Sequence, residues 1–155
     1  MAAAVTSSIQ RSDGLGGVLM FQLHERLAAD THKLGESRLC DVLLMNDNTW
    51  PWVILVPRVS GIREIYELPN EQQQRLLFES SAFSEGMMEL FGGDKMNVAA
   101  LGNMVPQLHL HHIVRYQGDP AWPGPVWGKQ PPVPYTEEQL ASVKAKLQPL
   151  LEQLA

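Results

Sequence analysis

Three of the five histidines in the chain, His109, His111 and His112, fall within four positions of one another. Imidazole ionises nearest neutrality of all side chains, so such a cluster can supply a nucleophile, a proton carrier or metal ligands. The run Gln107-Leu108-His109-Leu110-His111-His112-Ile113-Val114 predicts a strand. Alternation then puts Gln107, His109, His111 and Ile113 on one face, and Leu108, Leu110, His112 and Val114 on the other. Two imidazoles and an amide line up beside the loop Gly102-Asn103-Met104-Val105-Pro106, whose backbone N–H groups point to an anion. His112 interrupts the apolar side and marks where the strand leaves the core or meets another element.

Three chemistries fit these residues. The imidazoles can be partly buried strand residues with satisfied hydrogen bonds. A His-x-His pair can chelate zinc, for which Cys40 or Asp41 would have to supply a third ligand. A neutral imidazole can attack an electrophile while its neighbours orient it or supply protons.

The elements that must position this strand are legible in outline. Residues 21–30 (FQLHERLAAD) predict a short helix with Phe21, Leu23, Leu27 and Ala28 on one side. Residues 39–45 and 52–57 predict a hairpin across the turn-forming NDNTWP. A long helix over 71–91 carries Leu76, Phe83, Met87 and Leu90 at helical intervals and ends at Gly92-Gly93. The segment 96–101 (MNVAAL) predicts a further strand. Between Arg115 and Thr136 six prolines, accompanied by Trp122, Trp127 and Tyr135, leave no regular element. Thr136 and Gln139 form a capping box that opens a last helix. This order of helix, hairpin, helix, hairpin and tail is an α+β arrangement on an antiparallel sheet.

Composition narrows the partners. Twelve Lys+Arg against 17 Asp+Glu give a formal charge of −5, and the basic residues are scattered, which excludes a broad charge-held surface for a nucleic acid polymer or a membrane. One phosphate chain needs only local donors. The longest apolar stretch, Trp50 to Pro57, is far below the ~18–20 residues that span a bilayer. A lone Cys40 forms no intrachain disulfide and fits a reducing compartment. The expectation is a soluble, cytoplasmic protein. Residues 1–19 read as a flexible leader, 20–117 as the domain that carries the site, and 118–155 as a Pro/Trp-rich tail with a C-terminal helix.

Residues 103–115, NMVPQLHLHHIVR, resemble the signature of the histidine triad (HIT) family, His-φ-His-φ-His-φ-φ, with Gln107, His109 and His111 in the alternating places. The resemblance extends over residues 21–116. Residues 39–57 look like the family's first hairpin, with Asn46 where a polar residue meets the nucleotide ribose, and Gly102-Asn103-Met104-Val105 looks like its Gly-Gln-Ser/Thr-Val phosphate loop. The resemblance implies a HIT-like fold, with the long helix packed on the sheet. It also implies a nucleotide hydrolase or transferase with no cofactor and no metal, in which His109 attacks the α-phosphorus and water resolves a nucleotidyl-imidazole intermediate. His111 and Gln107 would contact phosphate oxygens. Asn103 and the Met104 N–H would hold the phosphate or the leaving-group oxygen. The implied partners are a purine nucleotide or dinucleoside polyphosphate and a second copy of the chain, paired through the long helix and an edge strand. The alternative is a catalytically weak nucleotide-binding protein with a degraded triad.

Three positions depart from the family pattern. Gln107 replaces the first histidine, Pro51-Trp52 stands where Pro-Gly-His is familiar, and Met104 replaces a hydroxyl residue. Asn46 also suits a plain turn, and Asn97 either ties down a neighbouring loop or touches the ligand. Cys40 reads as a packed, inert thiol. The aromatic tail either closes over the site or covers exposed core.

Overall fold

The computed structural model describes residues 9–11 and 18–155. Strands β1 (Ile9–Arg11) and β2 (Val18–Met20) form an antiparallel ribbon; the rest of the leader read as flexible lies outside the described residues. The domain then runs α1 (Glu25–Asp30), β3 (Thr31–Glu36), β4 (Cys40–Met45), β5 (Trp52–Pro57), α2 (Asn70–Phe91), β6 (Lys95–Ala99), β7 (Leu110–Arg115) and α3 (Glu137–Gln153). Five strands make one sheet in the order β3-β4-β5-β7-β6, antiparallel at every pairing.

The sheet has two dissimilar faces because β4, β5 and β7 are buried on both sides, so apolar residues occupy successive positions. On one face Val42, Leu44, Val53, Leu55, Leu110 and Val114 pack against Leu76, Phe83 and Met87 of α2 and Leu147, Leu150 and Leu151 of α3. Phe83 is fully buried, which contributes about 1.5–3 kcal/mol relative to exposure. On the other face Leu43, Trp52, Ile54 and Ile113 pack against Leu27 of α1 and Ala121 and Val126 of the tail. His109 and His111 lie on this thinner side.

Helix α2 is fastened by a charge where its apolar stripe is interrupted. Glu79, fully buried, accepts from the Ser37 hydroxyl, from the Leu39 N–H at 3.0 Å and from Arg75 Nε at 2.6 Å. The helix stops at Gly92, whose φ of 60° is the left-handed cap that glycine adopts without strain. Leu90, which continues the apolar stripe in sequence, is 36 % exposed. The Thr136–Gln139 capping box of α3 forms as expected.

Several elements differ from the sequence reading, and β6, expected over 96–101, spans Lys95–Ala99. The first helix begins at Glu25, because residues 21–24 are held extended against Gln107. Strand β3 was not anticipated. Its residues, THKLGE, show no apolar alternation, since β3 is a half-exposed edge with a register shift between Lys33 and Gly35. Lys33 meets Glu36 and Asp41 there, the kind of charged edge that discourages pairing with another chain. Strand β7 begins at Leu110 rather than Gln107.

Candidate active site

Although Gln107 to His109 precede the regular strand, the alternating side chains still meet. The rings of His109 and His111 lie 4.9 Å apart, edge to face. His109 Nδ1 is 2.7 Å from the Gln107 carbonyl. A carbonyl only accepts, so Nδ1 carries the proton and Nε2 keeps its lone pair. Burial pushes the His109 pKa below 6.5; the Gln107 carbonyl opposes that shift and the charge of His24 adds to it. His109 is therefore a neutral imidazole with a free Nε2 at neutral pH, the form that attacks an electrophile.

His111 faces Ile54 of β5 and Ala99 of β6 across the sheet. Its Nδ1 accepts from the indole N–H of Trp52 at 3.0 Å. Burial, then repulsion from His109 and His112, pushes its pKa down to about 3. His112 points the opposite way, as alternation requires. Its Nδ1 donates to the Leu110 carbonyl at 3.1 Å and its Nε2 accepts from the Ser80 hydroxyl of α2 at 2.8 Å. The third histidine of the cluster thus bolts the strand to the long helix and stands apart from the site.

The Gln107 amide is committed at both ends. Oε1 accepts the His24 N–H and Nε2 donates to the Gln22 carbonyl, each at 2.8 Å. One Nε2 hydrogen is left for any ligand. His24 itself caps α1, its Nδ1 accepting from the Arg26 N–H at 3.0 Å. Sequence reasoning missed His24, since histidine is not a favoured cap and its link to the site is the hydrogen bond to Gln107, 83 residues away.

Around these groups lie two openings. Gly102, Gln107 and His109 line a small cavity with Arg63 and Glu64. Gly102 turns the loop with a φ of 79°, which favours glycine. Asn103 is exposed and Met104 is 75 % exposed, and neither is among the residues lining this cavity. A larger cleft of about 430 Å³ is lined by Asn46, Asp47, Trp52, Trp127 and Gln130. Asn46 Oδ1 there accepts from the Tyr135 N–H at 3.0 Å, which ties the turn to the tail. Asn97, opposite Ile113 on β6, is on the sheet face of His111, and its Oδ1 accepts from Arg115 at 2.8 Å.

The tail belongs to the site. Arg115 holds the Asp119 carboxylate through Nε and Nη2 at 2.8 and 3.0 Å, and the N–H groups of Tyr116, Ala121 and Trp122 also point to it. Burial opposes the Asp119 charge, but Arg115 and those N–H groups outweigh it and hold the carboxyl well below its usual range. The chain so anchored returns to set Trp127 edge-on to His111 at 5.0 Å and to Trp52 at 5.8 Å.

Neither third ligand of the zinc alternative reaches the histidines. Cys40 is fully buried among the residues that pack on α2 and α3, on the far face, and burial raises its thiol pKa well above normal. Asp41 faces Lys33 and Arg58 at 3.3 and 3.6 Å. Among the described residues no group of three or more His, Cys, Asp or Glu side chains is placed to hold a metal ion.

The HIT domain family model matches residues 26–118, which contain the sheet, α2 and both imidazoles of the site. The chain belongs to the histidine triad family. No curated protein matches the sequence. Among solved structures, this HIT protein is similar to a histidine triad protein from Marinobacter aquaeolei VT8, at 98 % identity over 88 % of this chain and 100 % of that one, with a TM-score of 0.87. It is also similar to a histidine triad protein of Sinorhizobium meliloti 1021, at 44 % identity over 84 % of this chain and 97 % of the other (TM-score 0.82). A histidine triad protein of Bradyrhizobium japonicum is 41 % identical over 84 % of this chain and 98 % of its own (TM-score 0.83).

Proposed function

We propose that this HIT protein is a nucleotide hydrolase or transferase that works without a metal. It cleaves a phosphoanhydride or phosphoramidate bond at the α-phosphorus of a purine nucleotide, for example a dinucleoside polyphosphate. The observation that carries this reading is His109, neutral and protonated on Nδ1, with Nε2 unengaged. Nε2 attacks the α-phosphorus, the N–P bond forms as the bond to the leaving group breaks, and the proton stays on Nδ1, donated to the Gln107 carbonyl. Water then attacks phosphorus, the N–P bond breaks, and His109 returns neutral as a proton passes to solvent. Dividing the displacement lowers each barrier, and charge stabilisation comes from donors already in place.

In this reading His111 and the remaining Gln107 N–H meet phosphate oxygens, with Gly102, Asn103 and the Met104 N–H at the loop side. Asn46 meets the ribose and the base lies in the cleft with Trp52 and Trp127, whereas Asn97 supports the tail through Arg115. A second copy of the chain pairs through Leu77 and Val98, which are 68 % and 49 % exposed on α2 and the edge strand β6 and line one apolar groove. Among the described residues no helix is long and apolar enough to cross a membrane, which is compatible with a cytoplasmic setting.

The test is His109→Ala with labelled diadenosine tetraphosphate. Turnover and the acid-labile adduct are lost while binding persists; unchanged turnover overturns the assignment. A chelator leaves the wild-type rate unchanged. The commitment of Gln107 to backbone favours a second reading, a nucleotide-binding protein with little chemistry, which predicts binding with neither adduct nor product.

A further inference from the structure

Trp52 occupies the position where the family pattern carries histidine, and its placement is over-determined. The side chain is 5 % exposed. Trp50 meets it edge-on at 6.4 Å and Trp127 at 5.8 Å, so the indole plane cannot turn. Its backbone partner on β7 is Ile113. The ring reaches diagonally to His111, a span that aromatic side chains cover between neighbouring strands. Indole Nε1–H donates and never accepts, whereas an imidazole at the same place does either, according to its tautomer.

We propose that Trp52 is a positioning residue whose N–H locks His111 in the neutral Nε2–H tautomer, making His111 a fixed hydrogen-bond donor to the site and removing it as a proton relay. Nδ1 has to present its lone pair to the indole, so the one proton of the neutral ring sits on Nε2. A second proton on Nδ1 would set two N–H groups against each other at 3.0 Å. The low His111 pKa, pushed to about 3 by burial and by its histidine neighbours, acts in the same direction. Gln107 cannot relay a proton either, because an amide does not titrate in this range.

The lock has a consequence for the leaving group, which rests on the HIT reading above. A phosphate or nucleotide leaving an anhydride departs as an anion and needs no proton. An amine leaving a phosphoramidate must take one as the P–N bond breaks. With His111 locked and Gln107 in the first triad place, the site favours the anhydride.

Two measurements test this. In protein labelled with ¹⁵N at histidine, two-bond ¹H–¹⁵N correlation spectra read the His111 tautomer with no substrate present. The wild type shows Nε2–H alone from pH 5 to 8, and Trp52→Phe shows a mixture with Nδ1–H and a titration moved toward the ordinary imidazole range. A wild-type ring protonated on Nδ1, or a Trp52→Phe spectrum identical to the wild type, overturns the lock. Should Trp52→Phe not fold, the wild-type spectrum decides. In the second arm wild type hydrolyses diadenosine tetraphosphate at least tenfold faster, in kcat/KM, than an adenosine phosphoramidate, and Trp52→His narrows that ratio. A wild type that prefers the phosphoramidate overturns the leaving-group consequence. If neither compound turns over, the hydrolase reading fails while the tautomer spectra still decide the lock.

Discussion

The backbone N–H of His24 donates to the side-chain oxygen of Gln107 at 2.8 Å, while the amide nitrogen of Gln107 donates to the Gln22 carbonyl two residues upstream. A residue standing in a triad position thereby holds the segment that brings His24 toward His109. Gln107→Glu keeps the acceptor but sets a carboxylate against the Gln22 carbonyl. It should lower stability by about 1–3 kcal/mol and speed exchange of the His24 amide. Gln107→Ala should cost less. Urea unfolding and amide exchange check both.

The charge of His24 contributes to the lowered His109 pKa. Since the nucleophile must be neutral, the acid limb of kcat/KM should lie below the ordinary imidazole range near 6.5. His24→Asn retains a cap for the Arg26 N–H and removes the charge. His109 then gains a proton more readily, so the acid limb should move to higher pH. A pH–rate profile of both proteins reads the shift, and a limb that moves down contradicts it.

Burial holds His112 at about 4 against 6.5 in the unfolded chain. The unfolded state takes up the proton first as pH falls, so the His112 contribution to stability declines between about pH 6.5 and 4 and is gone below, where both states are protonated. The linkage contributes about 3 kcal/mol over that window. Urea midpoints measured from pH 7 to 4 should fall for wild type and fall less for His112→Gln. Ser80→Ala leaves the His112 Nε2 unpaired in a dry site and should cost about 1–3 kcal/mol at pH 7.

Trp127 lines the cleft and touches both Trp52 and His111. If the base stacks there, Trp127→Ala should raise KM roughly tenfold or more, in line with about 1–3 kcal/mol per stacked base. The hydrogen bonds that orient His111 and His109 remain, so kcat should change less. Steady-state kinetics separates the two.

Leu77 and Val98 share an exposed apolar groove between α2 and β6. Leu77→Glu should convert a dimer to monomer in light scattering, because a carboxylate desolvated in that groove has no partner. An unchanged dimer would locate the interface elsewhere.

Local patterning decided much of this molecule before any contact was known. The alternation from Gln107 to Val114 assigned His109 and His111 to one face and His112 to the other, because strand geometry has a period of two. The capping box at Thr136, the stripe of α2 and the glycine at its end were equally local. Tertiary structure decided what distance along the chain conceals. Strand β3 is polar because it forms an edge, so it carries no apolar period to read. The partners of Gln107 lie 83 and 85 residues away, and the donor to His111 lies 59 away on β5. The tail becomes part of the site only when Asp119 closes on Arg115 and turns Trp127 inward. Sequence thus determined which side chains share a face, through backbone periodicity. Only packing decided their tautomers and charge, because those depend on burial and on hydrogen-bond partners brought from distant segments.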